Sequence, residues 1–310
     1  MKWPSNFFAR LWTTLKTTAK IFTAENYFRY SAALSYYTIF SLAPLLIITI
    51  SLCGYFFGRE AMEGRIFSEI RTIVGDIVAM QIQLMIQHVV SAQNSFITTT
   101  AGIIAFIIGI TGLFSEMQDT MNRIWNLKTN PTLHWRKYLT KRVISFGIFS
   151  VIGLLLIVSL IINWLIRIFG NYLVNFFARA SVFMVFAINR LFIVAIVAIL
   201  FAFMFKYLPD GKVKWKDAIK GAVFTSILFI LGKAGIGYYF VYSHMASIYG
   251  SLIVLLLWIY YSSIIIYFGA TFTKVYAYRY GGKIIPGSYA DSLDAREIAS
   301  NELRVNEFNK

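Results

Sequence analysis

The residues of this chain best able to do chemistry are two cations set in apolar sequence, Arg190 and Lys233, and a polar cluster made of Glu116, Gln118, Asp119, Asn122 and Arg123. An ionisable group at membrane depth is costly and marks a substrate or ion pathway. If Arg190 and Lys233 face an interior, their chemistry favours an anion such as a lipid phosphate over a cation. Two plainer roles compete with this. Both cations are placed to snorkel to the outer interface, and the Glu116 to Arg123 cluster, where an apolar stretch ends, equally suits a helix-end salt-bridge network.

A third group is made of hydroxyls. Ser31, Ser35 and Thr38 recur at i, i+4 and i+7 and so share one helix face, where they can bond back to their own helix or across to a neighbour. Pro44 removes a backbone donor in the same stretch and predicts a kink near residues 40–44, the element of a gate. A cavity wall and a dry helix interface both fit this pattern.

Hydrolytic and phosphate-driven chemistry finds no support. His88, His134 and His244 are scattered, with no HxE, HxH or paired carboxylates at metal-ligand spacing, and no glycine-rich loop precedes a lysine and a Ser or Thr. The expectation is a non-enzyme with no catalytic residue, metal or cofactor. The single cysteine, Cys53, lies in apolar sequence and reads as a small hydrophobe.

The elements that must position these residues are membrane helices. The chain has 310 residues, of which 58% are hydrophobic and 17% aromatic. Its mean hydropathy of +0.66 lies far outside the range of a soluble domain of this size. Six stretches are long and apolar enough to span: 31–57, 95–115, 142–164, 182–207, 220–241 and 248–273. The 29 Lys and Arg, against 14 Asp and Glu, concentrate in the leader and in the second and fourth connections. By the positive-inside rule these segments and both termini are cytoplasmic. The basic excess is thus a topology signal, and nucleic acid is not expected as a partner.

Around the spans, three further segments stand out. Residues 1–28 read as an amphipathic helix along the membrane, with Phe7, Phe8, Leu11, Trp12, Leu15 and Phe22 recurring near helical spacing. The long first connection, 58–94, carries two amphipathic repeats, Ile66 to Ile77 and Met80 to Val90, and predicts a two-helix cap on the outer face. In the second repeat Ile82, Met85, Ile86, Val89 and Val90 share a stripe, with Gln81, Gln83, Gln87 and His88 off it. The tail, 281–310, opens with turn residues and reads as a short helix or disorder, leaving 1–280 as a single membrane domain. Small residues predict close helix contacts: Ala101, Ala105 and Gly109 with Gly102 and Gly112 in the second span, and Gly221, Gly232, Gly235 and Gly237 in the fifth.

Three blocks, "RYSAALSYYTIFSLAPLL" (29–46), "LFSEMQDTMNRIWNL" (113–127) and "YGSLIVLLLWIYYSSIIIYFGA" (249–270), with "KYLPDGKVKWKDAIKGA" (206–222) as a weaker fourth, resemble the YihY/BrkB family of bacterial inner-membrane proteins, once labelled ribonuclease BN. The resemblance implies an all-α, polytopic protein with six transmembrane helices, cytoplasmic termini and no agreed catalytic residue. It also implies labels of virulence or serum resistance and of suspected transport. Where the family often has a glutamate after Gly-Ala, this chain has Thr271. The resulting expectation is a transporter or flippase-like protein for an anionic, lipidic envelope molecule. Arg190 and Lys233 would contact the headgroup, with Ser31, Ser35, Thr38, Glu116, Asp119, Asn122 and Arg123 as further candidate contacts and the Pro44 helix as gate. Membrane lipids are the expected partners. A non-transporting scaffold for envelope or virulence machinery, with a second copy or an envelope protein as partner, is the rival.

Overall fold

The computed structural model describes residues 7–57, 71, 75–91, 96–129, 180–242, 250–287 and 290–292. The expected third span, 142–164, and most of the first cap helix lie outside the described residues. The described chain is a helical bundle. Its helices are α1 (Phe7–Ala24), α2 (Tyr27–Phe57), α3 (Asp76–Ser91), α4 (Phe96–Ile124), α5 (Ala180–Tyr207), α6 (Trp215–Tyr242) and α7 (Gly250–Tyr280). Four short strands complete it: β1 (Leu127–Thr129), β2 (Gly211–Lys212), β3 (Ile285–Pro286) and β4 (Ala290–Ser292).

Five of the six apolar stretches coincide with α2, α4, α5, α6 and α7, which are 28 to 31 residues long. At about 1.5 Å per residue the shortest is roughly 42 Å, longer than a hydrocarbon core. Among the described residues, Trp215–Phe240 and Ile253–Tyr280, with mean hydropathies of 1.6 and 2.0, are long and apolar enough to cross a membrane. α2 stays helical from Tyr27 to Phe57 across Pro44, whose side chain lies outside the described part.

The centre of the bundle is α7, which touches α1, α2, α3, α4 and α6, while α5 packs on α6 and α4 on α2. Close approach is made by small residues. A Cβ on Gly109 would press on Ser41 at 3.0 Å, and one on Gly112 on the Tyr37 ring at 3.1 Å. Between α6 and α7 the glycines are reciprocal, Gly221 receiving Thr273 and Gly269 receiving Thr225, with Gly232 under Tyr261. Gly235 and Gly237 do not fit the expected packing, for a Cβ on either would meet nothing within 4 Å. Gly235 is exposed and Gly237 lines a cavity, so here glycine marks where α6 stands off from its neighbours.

The apolar core is split between the two ends. At the loop end, where α1 and the strands gather, Phe22, Tyr27, Met121, Trp125, Phe205, Leu208 and Tyr267 form the larger cluster. At the cap end, Val78 and Ile82 of α3 pack with Phe240, Val254, Leu255 and Ile259.

Three segments differ from expectation. The leader is helical, but the face it buries is Thr14, Thr18 and Phe22, while Trp12 is 70% exposed. Each buried threonine bonds back to its own helix, Thr14 to the Arg10 carbonyl and Thr18 to that of Thr14, so a hydroxyl face can dock without an apolar stripe. Phe22 meets Phe268, the Arg279 guanidinium donates to Thr17 Oγ1 at 2.6 Å, and Arg10 lies over the Tyr280 ring. In the cap, Asp76 and Ile77 begin α3 instead of ending the preceding repeat. Gly75, at φ +96°, stops the turn that holds Arg71, and Gln81 is buried on the face assigned to Ile82.

In the tail, the described part forms strands, while 293–310, where the short helix or disorder is expected, lies outside the described residues. β4 pairs antiparallel with β1 (Leu127 opposite Ser292, Thr129 opposite Ala290), and β3 pairs with β2 (Gly211 opposite Pro286, Lys212 opposite Ile285).

Candidate functional site

Two places gather the candidate residues, one at each end of the bundle. At the loop end, Gln118 and Asn122 lie one turn apart on α4, so their amides point the same way, and both are buried. They hold Asp210, in the Pro209-Asp210-Gly211 turn after α5. Gln118 Nε2 donates to Asp210 Oδ1 at 3.0 Å and Asn122 Nδ2 to Oδ2 at 2.8 Å, while the Asp210 N–H returns a bond to Asn122 Oδ1 at 2.8 Å. The Asp210 carbonyl accepts the Gly287 N–H at 2.8 Å, which ties the tail into the same knot. Every donor of this set is matched by an acceptor, as buried polar groups require.

The rest of the α4 end serves the same joint. The Trp125 indole N–H donates to the Ala270 carbonyl at 3.3 Å, and Lys274 Nζ donates to Asn126 Oδ1 at 3.0 Å. Asn126 sits at φ 55°, the left-handed turn that ends α4 and aims the chain into β1. Arg123 is exposed, with its guanidinium 5.2 Å from the Tyr30 ring centre. Glu116 accepts from Thr120 and Asp119 from Ser115, each within its own helix. The cluster expected around Glu116, Asp119, Asn122 and Arg123 is therefore real but divided. Asn122 joins Gln118 in an amide clasp on a carboxylate, while Asp119 and Arg123 are exposed and Glu116 is half-buried.

The hydroxyl face of α2 is satisfied internally. Ser31 donates to the Tyr27 carbonyl, Ser35 to that of Ser31 and Thr38 to that of Leu34, at 3.0, 2.7 and 2.7 Å. Ser31 and Ser35 are fully buried and Thr38 is half-buried, so this face packs within the bundle. Thr271 does the same on α7, bonding to the Tyr267 carbonyl at 2.8 Å while wholly buried.

The cap end holds open space. A cavity of about 490 Å³ lies between α5, α6, α7 and the start of α3, within the range of small-molecule sites. Ile193, Val197, Phe229, Ile230, Phe240 and Trp258 give it an apolar wall, and among the described residues Lys233, Arg71 and Asp76 are its charged members. The Lys233 stem runs beside Gly75, whose added Cβ would lie 3.7 Å from Lys233 Cε. Arg71 Nε donates to Asp76 Oδ1, and this guanidinium, with Lys233 adding to it, holds the Asp76 carboxyl below the usual range. Of the two expected headgroup contacts, Lys233 is thus placed in a cavity wall. Arg190 lies on α5 one turn before Ile193, and its side chain is outside the described residues.

Sequence reasoning singled out Lys233 and did not name the two charged residues that line the cavity with it. Arg71 and Asp76 are more than 150 residues from Lys233, in a segment whose only visible signal is amphipathic periodicity. Asp210 left a clearer trace, because Pro-Asp-Gly is a turn signature.

Curated relatives agree on the kind of protein. The chain is 26% identical to a UPF0761 membrane protein of Ralstonia nicotianae over 249 residues, 78% of this chain and 53% of that protein. It is 26% identical to one from Stenotrophomonas maltophilia, over 84% of this chain and 60% of that protein. A third, from Tolumonas auensis, is 25% identical over 77% of each chain. The chain thus spans little more than half the length of the first two. No solved structure matches it. The family described as Virulence factor BrkB matches residues 18–291, which takes in the α4 clasp, the Asp210 turn, the cap and the docked tail, and the chain belongs to that family.

Proposed function

We propose that this membrane protein is a transporter or flippase-like protein for an anionic lipidic molecule, six-spanning, with cytoplasmic termini, in a bacterial inner membrane. The observation that carries the reading is the apolar cavity at the cap end with Lys233 in its wall. An ammonium beside apolar side chains at membrane depth suits a ligand with an anionic head and an apolar body.

The outward surface of α6 supports the depth. Trp215, Ile219, Val223, Ile227 and Leu231 recur every four residues and are exposed, and Tyr238, Tyr239 and Tyr242 follow. Lysines 216 and 220 flank the tryptophan end, and Lys206 lies 5.8 Å from the Trp215 ring centre. Aromatic and basic residues mark the two faces of a bilayer, and Trp215 to Tyr238 spans roughly 35 Å of helix, against a hydrocarbon core of about 30 Å. Lys233 then sits about 7 Å inside the cap-side boundary, at the level of headgroups and upper acyl chains. The reading gives the chain no catalytic role.

The test is native mass spectrometry of the protein extracted in its own membrane, with identification of lipids that survive gentle delipidation. The reading expects a retained anionic lipid that is lost in Lys233→Gln and Arg190→Ala. Bulk lipids in bulk proportions in the wild-type protein would overturn it. A co-purified protein in their place, with function lost on removing 293–310, would favour the scaffold. That cut spares β3 and β4, whereas a cut at 286 would also take apart the loop end.

A further inference from the structure

Among the described residues the charged lining of the cavity is Arg71, Lys233 and Asp76, set beside an apolar wall. The three are held together by one backbone feature. Gly75 ends the turn of Arg71, accepts the Ala79 N–H at 3.0 Å as α3 begins, and leaves Asp76 as the first residue of that helix, all alongside the Lys233 stem.

The Arg71 and Asp76 side chains are exposed, 58% and 72%, although they pair at the cavity edge. An exposed ion pair contributes little to stability and exchanges partners readily. A guanidinium is also the side chain best shaped to take a phosphate in a bidentate fork, and a single carboxylate occupies only part of that capacity.

We propose that Asp76 is the built-in counter-anion of the ligand site: its carboxylate holds Arg71 while the site is empty and yields it to an incoming phosphate headgroup. Arg71 then becomes a second headgroup ligand beside Lys233. This rests on the reading of the cavity as a site for an anionic lipid. It adds a specificity, since a zwitterionic head brings its own cation and gains nothing from displacing Asp76.

The experiment uses the full chain in phosphatidylcholine nanodiscs and titrates dihexanoyl phosphatidylglycerol, dihexanoyl phosphatidylcholine and glycerol phosphate. Asp76→Asn has nearly the same shape and removes the charge that faces Arg71. It should bind the phosphatidylglycerol about tenfold more tightly than wild type, with the phosphatidylcholine unchanged. Arg71→Gln should weaken binding, and Asp76→Asn added to it should bring no gain. Equal affinity of Asp76→Asn and wild type, or a gain that persists without Arg71, overturns the proposal. Lys233→Gln separates the two readings: if it leaves binding intact, the cavity is not the site, and if it abolishes binding while Asp76→Asn is neutral, only the counter-anion role fails. Glycerol phosphate bound as tightly as the short-chain lipid, with the same gain in Asp76→Asn, would keep the counter-anion and make the ligand a free phosphate.

Discussion

Replacing Asp210 by alanine removes the acceptor of both buried amides at the loop end. Gln118 Nε2 and Asn122 Nδ2 lose bonds of 3.0 and 2.8 Å to a charged oxygen, while the backbone bonds of residue 210 to Asn122 and Gly287 persist. Each bond to a charged group contributes about 1.5–3 kcal/mol, and a buried donor left unpaired costs about 1–3 kcal/mol. These ranges describe the same loss from two sides and are not summed, so Asp210→Ala should destabilise by about 3–5 kcal/mol. The readout is denaturant unfolding in a fixed micelle, followed by tryptophan fluorescence, because Trp125 lies buried beside the clasp. Asp119→Ala, which removes an exposed carboxylate three residues away from Asn122, is the reference and should cost under about 0.5 kcal/mol. In a double-mutant cycle Asn122→Ala and Asp210→Ala should couple by about 1.5–3 kcal/mol. Equal effects of Asp210→Ala and Asp119→Ala, or additive effects in the cycle, would refute the clasp as a structural joint.

Other outcomes follow from the same geometry. Gly269→Ala drives a methyl into Thr225 and should cost about 1–3 kcal/mol, whereas Gly235→Ala meets open space and should be neutral or gain up to about 1 kcal/mol from helix propensity, both read from unfolding midpoints. Trp125→Phe keeps the ring and strips the indole N–H from the Ala270 carbonyl, so a loss of about 1–2 kcal/mol is expected in the same assay. The Asp76 carboxyl is held down by Arg71, so the tie is complete above the ordinary value of 3.8 and is lost as pH falls through the depressed folded value. With intrinsic exchange rates divided out, amide protection at the start of α3 should therefore fall below about pH 4 in wild type, and that fall should be absent in Asp76→Asn.

How much of this was legible depends on the range of the signal. The bundle helices announce themselves because a run of apolar residues is a local pattern, and five expected stretches match helices to within a turn or two at most ends. Ser31, Ser35 and Thr38 were legible as one face, and only the packing of α2 shows where that face lies. The strands β2 and β3, two residues each, carry no periodicity, so the docked tail had no trace in the sequence. Glycine was legible in kind and not in place: Gly221 and Gly232 touch α7 residues, Gly235 and Gly237 do not, and composition is the same at all four. Lys233 stood out because a charge in apolar sequence is expensive, while Arg71 and Asp76 look like ordinary loop charges until folding brings them beside it.

The loop-end joint also imposes an order on synthesis. Its bonds link residues far apart in the chain, 88 and 92 for the Asp210 clasp, 148 for Lys274 to Asn126 and 262 for Arg279 to Thr17. At roughly 5–20 residues per second, about 7–30 s pass between the making of Asn126 and of Lys274. Within that interval Gln118 and Asn122 have their hydrogen bonds to water until Asp210 is made and Trp125 until Ala270 is, and α2 and α4 wait as a packed pair for their central helix. The strands after α7 therefore act as a closing signal: a chain that stops at Gly281 has its helices and the Asp210 clasp in place, and lacks the Gly287 bond to Asp210 and both strand pairs, β1 with β4 and β2 with β3.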